Sequence, residues 1–468
     1  MNRPPAHIRA RGVRRGASIA WRWIVFALAC GVSLAAFAAG GGEELPGVVG
    51  RIANVQGALF NAPDAGGGQW TAIGLNYPVT TGDNLWIDGD GHAEIDYGAG
   101  QVRIAGDANL HVSRLDEGQL ALFVAAGRLI VRLRVLEAGD SARVDTPAVQ
   151  ISLTRPGLYR IDVSPDRTLT TLIVREGEAE VAAPAVRQQV LPGQTATIRD
   201  GEAQAVVRNA AGIDGFDAWS ADRDRYYDRR GQDAYVSRQM VGAVDLDQYG
   251  TWQTYPDCGP VWFPTGVAVD WAPYRYGAWT WLPGWGYTWV DAAPWGYAPF
   301  HYGRWTWIDQ RWGWCPGAYV VRPIWAPALV AWYGGTGWGY SASYGVPVWG
   351  WVPLGWGEPL MPWWHGCGSR CWSRYNRPYH VNVAERPTAP PTHYANWSVP
   401  GGLTAVPGAV LAGGKPVPVN LVAVPPNATY TPALVSAAPS VEPLPPTSAV
   451  LRPGDRVPAR ASTLQVRP

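Results

Sequence analysis

Tyr276-Gly277-Ala278-Trp279-Thr280-Trp281-Leu282-Pro283-Gly284-Trp285-Gly286-Tyr287-Thr288-Trp289-Val290 reads as two short strands joined by a turn. Side chains alternate across a strand, so Trp279 and Trp281 share one face, while Pro283-Gly284 supplies the reversal. The phrase recurs. Tyr249-Gly250-Thr251-Trp252, Tyr276-Gly277-Ala278-Trp279 and Tyr302-Gly303-Arg304-Trp305 are spaced 27 and 26 residues apart, and a second marker keeps step as Trp271-Ala272-Pro273, Tyr297-Ala298-Pro299 and Trp325-Ala326-Pro327. In the next unit Trp305 and Trp307 face Trp312 and Trp314 across Asp309-Gln310-Arg311. One hairpin alone is marginal in water, so the units must stack. Cross-strand aromatic pairs, at about 0.2–1 kcal/mol each, then take the place of an aliphatic core.

Residues 248–380 are therefore expected to form a Trp-rich β-hairpin repeat domain, and 22 of the chain's 27 tryptophans fall between Trp252 and Trp397. Strand pairs such as Trp279/Trp281 and Trp305/Trp307 are expected to be buried. Trp285, Trp295 and Trp312 are placed at turns and are expected to be exposed, free to stack on the C–H faces of sugar rings in peptidoglycan or a polysaccharide.

Upstream, residues 48–208 alternate apolar and polar side chains in short bursts, as in Gly127-Arg128-Leu129-Ile130-Val131-Arg132-Leu133, with turns at Gly82-Asp83, Asp90-Gly91 and Pro192-Gly193. Period two with frequent turns predicts an all-β sandwich or roll. Between 213 and 247, Phe216, Trp219, Tyr226 and Tyr227 share one side of a helix whose N-cap is Asp214, while Asp222, Arg223, Asp224 and Arg225 form a charge run expected to face solvent. From 381 to 468 the chain is rich in Pro, Ala and Val with little charge, which predicts an extended, mostly disordered tail; a stretch from Val399 to Val424 is expected to keep contacts with the Trp-rich domain. The fold class is thus mainly β, in four successive parts behind a leader.

The leader is residues 1–38. Six arginines (Arg3, Arg9, Arg11, Arg14, Arg15, Arg22) precede an apolar run from Ile24 to Ala39, and Ala36-Phe37-Ala38 offers small residues for cleavage. This is the outline of a signal peptide and implies a periplasmic or secreted location. Of 38 basic and 37 acidic residues, all six charges lost on cleavage are basic, leaving 32 against 37. A mildly acidic exported chain without a basic tract is a poor nucleic-acid binder.

The β domain resembles the FecR domain of bacterial envelope proteins through Gly50-Arg51-Ile52, Gly82-Asp83-Asn84-Leu85, Ala93-Glu94-Ile95, Gly127-Arg128-Leu129, Val144-Asp145-Thr146-Pro147, Val174-Arg175-Glu176-Gly177-Glu178-Ala179 and Pro192-Gly193-Gln194, in that order. The resemblance implies a periplasmic β domain, which in the best-known members relays the state of an outer-membrane iron receptor to a sigma factor. Only 23 residues precede the apolar segment, whereas such a regulator places a folded segment in the cytoplasm. The second half resembles an uncharacterised tryptophan-rich family through Pro294-Trp295-Gly296-Tyr297-Ala298-Pro299-Phe300-His301-Tyr302-Gly303-Arg304-Trp305, Trp325-Ala326-Pro327-Ala328-Leu329-Val330 and Trp349-Gly350-Trp351-Val352-Pro353-Leu354-Gly355. That resemblance implies no activity.

Outside the leader the cysteines are Cys258, Cys315, Cys367 and Cys371, which in an oxidising compartment suggest two disulfides with three possible connectivities. A Cys258–Cys315 bridge would staple the first hairpin to the third, and Cys367–Cys371 would close a small loop. His365 with Cys367 and Cys371 is the metal alternative, but it lacks a fourth ligand and export disfavours thiolates. Asp88-Gly89-Asp90-Gly91 lacks the later acidic ligand of a calcium loop, and His92 with Glu94 has no partner that would make an active site. No nucleophile elbow, zinc-protease motif or phosphate-binding glycine loop occurs, so no catalytic residue, metal or cofactor is assigned. The expectation is a non-enzymatic exported envelope protein, a scaffold or binding module for glycan or another envelope protein. A FecR-type transmembrane regulator with an uncleaved anchor and a cell-wall hydrolase are the alternatives.

Overall fold

The period-two bursts of residues 50–209 become sixteen short and long strands in one continuous hydrogen-bonded set in the computed structural model. It describes residues 44–66, 68–184, 186–202, 205–210, 212–229, 235–334, 341, 344–389, 391, 393–423, 439, 441, 443 and 458–464. The expected signal segment, residues 1–38, lies outside the described residues, among which no helix is long and apolar enough to cross a membrane.

The organising element of the β domain is a hairpin of two long strands, Gly100–Leu115 and Gln119–Leu133. Their register shifts between Ala105 and Asn109, where Gly106 and Asp107 both adopt positive φ, and the hairpin bends there. One half pairs with Asn84–Ile87 and, in parallel, with Ser141–Asp145; the other half pairs with His92–Asp96 and Gly157–Val163. A single bent hairpin thus closes a roll. Leu129, Val131 and Leu133 point into its core with Ile104, Leu122, Tyr159 and Leu172, as their alternation with Arg128 and Arg132 requires.

The other face of that strand is covered by a helix, Gly215–Asp228. Asp214 caps it by accepting from the Phe216 and Asp217 N–H groups at 2.9 and 3.1 Å, and Asp217 reciprocates on the Asp214 N–H at 3.2 Å. Phe216 then buries against Ile130 and Ala105. The charge run does not simply face water, as expected. Asp222 and Arg225 do, but Arg223 reaches the buried Glu94 carboxylate at 2.8 Å and Asp224 takes the buried Arg103 guanidinium at 2.8 Å. Arg103 and Glu94 stand on adjacent strands and are themselves paired at 2.9 Å, so the helix docks through charge that would otherwise be stranded in the sheet.

In the second half, tryptophan pairs set the register: Trp252 opposite Trp262, Trp279 opposite Trp289, Trp305 opposite Trp314, Trp307 opposite Trp312 and Trp332 opposite Trp351. Asp309 and Gln310 both take positive φ, the geometry of a two-residue turn that follows strand twist. Trp262 also pairs with Trp314, joining the first and third hairpins into a four-stranded sheet. The Cys258–Cys315 disulfide staples that junction, with Cα atoms 6.1 Å apart; Cys367–Cys371 closes a short loop.

The glycine of each Tyr-Gly-X-Trp phrase has a steric cause. A Cβ on Gly250, Gly277 or Gly303 would come closer than 3.0 Å to indole atoms of Trp262, Trp289 or Trp314 respectively. The return-strand ring lies over the bare backbone of the outgoing strand, and the glycine makes room for it. The second marker has its own role, since the chain at these Ala-Pro segments is not engaged in strand pairing. The Tyr274 carbonyl accepts from the Trp351 indole, Pro299 from the Trp305 indole and Pro327 from the Trp289 backbone N–H, at 2.9, 2.9 and 3.0 Å.

The expected disordered tail from residue 381 is corrected over part of its length. Thr404–Pro407 adds a third strand to the sheet of Val330–Gly334 and Val348–Pro353, a short helix Gly408–Ala412 follows, and Val417 and Val422 are buried in the same core. The contacts expected for Val399 to Val424 are present as far as residue 423. The apolar pairs Ala405-Val406 on the strand and Val410-Leu411 on the helix are buried, a local pattern that composition alone does not reveal. Residues 424–438 lie outside the described residues.

Gly250→Ala, Gly277→Ala and Gly303→Ala are each expected to lower the unfolding free energy by about 1–3 kcal/mol, the usual effect of overpacking. Gly74→Ala, where a Cβ meets nothing within 4 Å, is the control and stays within about 0.5 kcal/mol of the parent in urea unfolding.

Candidate functional site

The three tryptophans expected to bind ligand are buried: Trp285 is 2 % exposed, Trp295 4 % and Trp312 4 %. Trp285 leaves its turn inward, edge-on to Trp325 at 5.0 Å and against Trp364 at 5.4 Å. Trp295 packs on Trp262 at 4.9 Å, and Trp312 is a strand residue edge-on to Trp307 at 5.5 Å. A turn residue is exposed only when nothing crosses above it, and here the segment carrying Trp363 and Trp364 covers the second hairpin. None of the three is available for stacking.

The exposed ring is one that strand alternation assigned to the core. Trp281 is 44 % exposed, although Trp279 on the same face is fully buried. Trp281 is the penultimate residue before the turn, so its ring stands beyond the packed body of the sheet. It lies edge-on to Tyr287 at 5.2 Å. Beside it is the half-buried Trp363, whose ring is fixed edge-on to Trp332 at 5.8 Å and Trp364 at 5.5 Å. Both indoles reach to 3.7 Å from where a Cβ on Gly286 would sit, so the two rings meet at this glycine. Sequence pattern could have flagged Trp281 by its place at the hairpin tip; nothing local pointed to Trp363.

Several buried ionisable and polar groups hold the fold together. Arg51 is buried at the contact between the β and Trp-rich domains, ion-paired with Asp245, donating to Asn76 Oδ1 at 2.9 Å and to the Pro294 carbonyl at 2.6 Å. Asn76 in turn donates to the Asp291 and Ala293 carbonyls at 2.9 and 2.7 Å, Tyr297 donates to the Gly50 carbonyl at 2.9 Å, and Asp96 accepts from the Gly242 N–H at 3.1 Å. Glu94 lies between Arg103 and Arg223, and His92 packs on the Trp219 ring at 4.3 Å. Gly89 in the acidic turn donates to Asp107 at 2.7 Å.

Burial pushes the Asp291 carboxyl up to about 7, against the lowering influence of hydrogen bonds from the Ala293 N–H and the Trp289 indole. Burial likewise drives the imidazole of His301 down to about 3, so it is neutral at physiological pH, with Nδ1 2.8 Å from the Ala326 carbonyl and its ring stacked on Trp325. His301 also lines a pocket with Met240, Tyr319, Tyr375 and Tyr379. Cys367 and Cys371 are in a disulfide, and among the described residues no three His, Cys, Asp or Glu side chains are grouped to hold a metal.

A family of unknown function, DUF6600, matches residues 243–358. No curated protein matches the chain. Two crystal structures of a proposed anti-sigma factor from Parabacteroides distasonis ATCC 8503 are similar to it: one at 12 % identity with a TM-score of 0.23, covering 25 % of this chain and 56 % of that one, the other at 13 % and 0.20, covering 32 % and 60 %. The matched part thus spans less than two thirds of either relative.

Arg51→Met leaves Asp245 buried without its cation and is expected to cost about 3–5 kcal/mol, part of which Asp245→Asn in the same chain restores; urea unfolding of the two variants measures both. A carboxyl whose folded pKa exceeds its unfolded value stabilises the fold at low pH and loses that contribution as pH rises through the folded value. The parent's stability advantage over Asp291→Asn is therefore greatest near pH 4 and shrinks between pH 4 and 8, measured as the difference in urea midpoints.

Proposed function

We propose that this chain is a non-enzymatic binding module of the bacterial cell envelope, exported after removal of residues 1–38, in which a FecR-like β domain and a Trp-rich hairpin domain act as one rigid body that presents an aromatic surface to glycan. The observation that carries this reading is the exposed Trp281 ring beside Trp363 at Gly286. A large apolar ring left 44 % exposed and braced by a second ring is a docking surface, because rigid aromatics lose little conformational entropy on binding and present a flat face to the C–H side of a pyranose. The order of FecR-like phrases on the bent roll supports the assignment of the β domain, and the buried Arg51 centre supports treating the two domains as one unit.

Peptidoglycan sacculi and soluble cell-wall glycans are the probes. The full chain is expected to be retained on one of them, and Trp281→Ala is expected to weaken retention about tenfold, equivalent to ~1.4 kcal/mol. Equal retention of parent and variant, or none by the parent, defeats the glycan reading, and capture by an envelope protein in its place would redirect it to protein partners. Residues 1–38 found intact in the mature protein would favour the membrane-anchored regulator.

A further inference from the structure

The chain's last described segment, Pro458-Ala459-Arg460-Ala461-Ser462-Thr463-Leu464, lies across the two long strands of the β domain. Its backbone is held by side chains rather than by strand pairing. The Trp70 indole donates to the Pro458 carbonyl at 3.0 Å, Asn109 donates to the Ala459 carbonyl at 2.8 Å, and the Ser462 N–H donates to Asn84 Oδ1 at 2.9 Å. Asn109 sits where the long hairpin shifts register, and Asn84 is locked by its own bonds to the Ala62 carbonyl at 3.0 Å and to Asp64 at 2.9 Å.

The side chains of the segment are read as well. The Ser462 hydroxyl donates to Asp64 Oδ1 at 2.7 Å, and the Arg460 guanidinium lies 3.6 Å from the same carboxylate and 3.4 Å from the Pro63 carbonyl. Ala461 is fully buried against Phe123 and Ala125, in a slot that holds its methyl group. The cluster of Phe123, Ala125, Ala461 and Leu464 is separate from the main core of the roll, which closes without it. The groove is therefore a feature of the outside of a finished domain, with polar side chains aimed at the backbone of whatever lies in it. That arrangement recognises a peptide: main-chain bonds give affinity, while the carboxylate and the slot give sequence preference.

We propose that this groove is a peptide-recognition site, held in cis by the chain's own Arg460-Ala461-Ser462 and able to take an Arg-Ala-Ser-like segment of another polypeptide in exchange. Asp64 selects a basic residue and a hydroxyl two positions apart, and the Phe123–Ala125 slot selects a small residue between them. Tethering makes the chain's own segment a strong competitor, at an effective concentration on the order of millimolar. An incoming segment gains access only when the tail is displaced.

The test uses the full chain and a fluorescent, end-capped peptide with the sequence of residues 458–464. Ala461→Glu places a carboxylate in the slot and vacates the groove without altering the β domain. The variant is expected to bind the peptide saturably, at least tenfold more tightly than the parent as read by anisotropy, and a chain ending at residue 457 is expected to match it. Asp64→Ala added to Ala461→Glu abolishes binding, and a peptide carrying the Ala461→Glu change does not bind. Equal binding by parent and Ala461→Glu, absence of binding by both opened chains, or indifference to Asp64→Ala would each overturn the proposal. None of these outcomes depends on Trp281.

Discussion

The Trp-rich half of the structure depends on one steric contact, the indole of a return strand lying over a glycine of the outgoing strand. Where Trp262 covers Gly250, Trp289 covers Gly277 and Trp314 covers Gly303, the ring can lie flat against backbone only because the glycine has no Cβ. Rings of these pairs also reach beyond their own hairpins, so Trp262 meets Trp295 at 4.9 Å, Trp289 meets Trp351 at 6.3 Å, and Trp279 meets Trp332 at 4.4 Å. Hairpins that would each be marginal alone are thus joined by rings shared between them. The glycine costs the unfolded chain extra entropy to order, and the interlocking rings offset it.

A different interaction fixes the β domain to the rest. Arg51 stands on the first strand of the roll and Asp245 in the short 3-10 turn Ala243–Asp245 that precedes the hairpins; each would be an uncompensated charge without the other. A buried ion pair is a weak source of net stability but a strong source of geometry, because a slip at the contact separates the charges in a medium that cannot solvate them. Asn76 adds direction, accepting from Arg51 while donating to two carbonyls of the Trp-rich half. Arg103 and Glu94 do the same for the connector helix, with Arg223 and Asp224 as the completing charges.

Local pattern disclosed those features that local physics controls. Alternation located the strands and the tryptophan registers, Asp214 was legible as an N-cap, and the matching turn positions of Cys258 and Cys315 suggested their bridge. What was not legible depends on segments distant in sequence. Trp285 is buried because Trp325 and Trp364 lie over its turn, 40 and 79 positions downstream. The run Asp222-Arg223-Asp224-Arg225 looks solvated until Glu94 and Arg103, more than a hundred residues earlier, are placed beneath it. Likewise, Thr404–Pro407 reads as low-complexity tail because an edge strand needs only a few apolar residues, and the composition around it hides them.

Tryptophan carries a polar atom into the core, and two of the indole N–H groups find their partners at the second repeat marker. Trp305 and Trp351 donate to carbonyls at or just after an Ala-Pro pair, because proline interrupts strand pairing and leaves those acceptors unclaimed. Trp262 and Trp314 use the carbonyls of Leu246 and Tyr302, which lie just outside their hairpins. Ala272, Ala298 and Ala326 within the markers are themselves buried, small enough to let the segment approach the rings. The Tyr-Gly-X-Trp phrase therefore makes room for the indole ring, and the Ala-Pro segments supply acceptors to the Trp305 and Trp351 indoles and to the Trp289 backbone N–H.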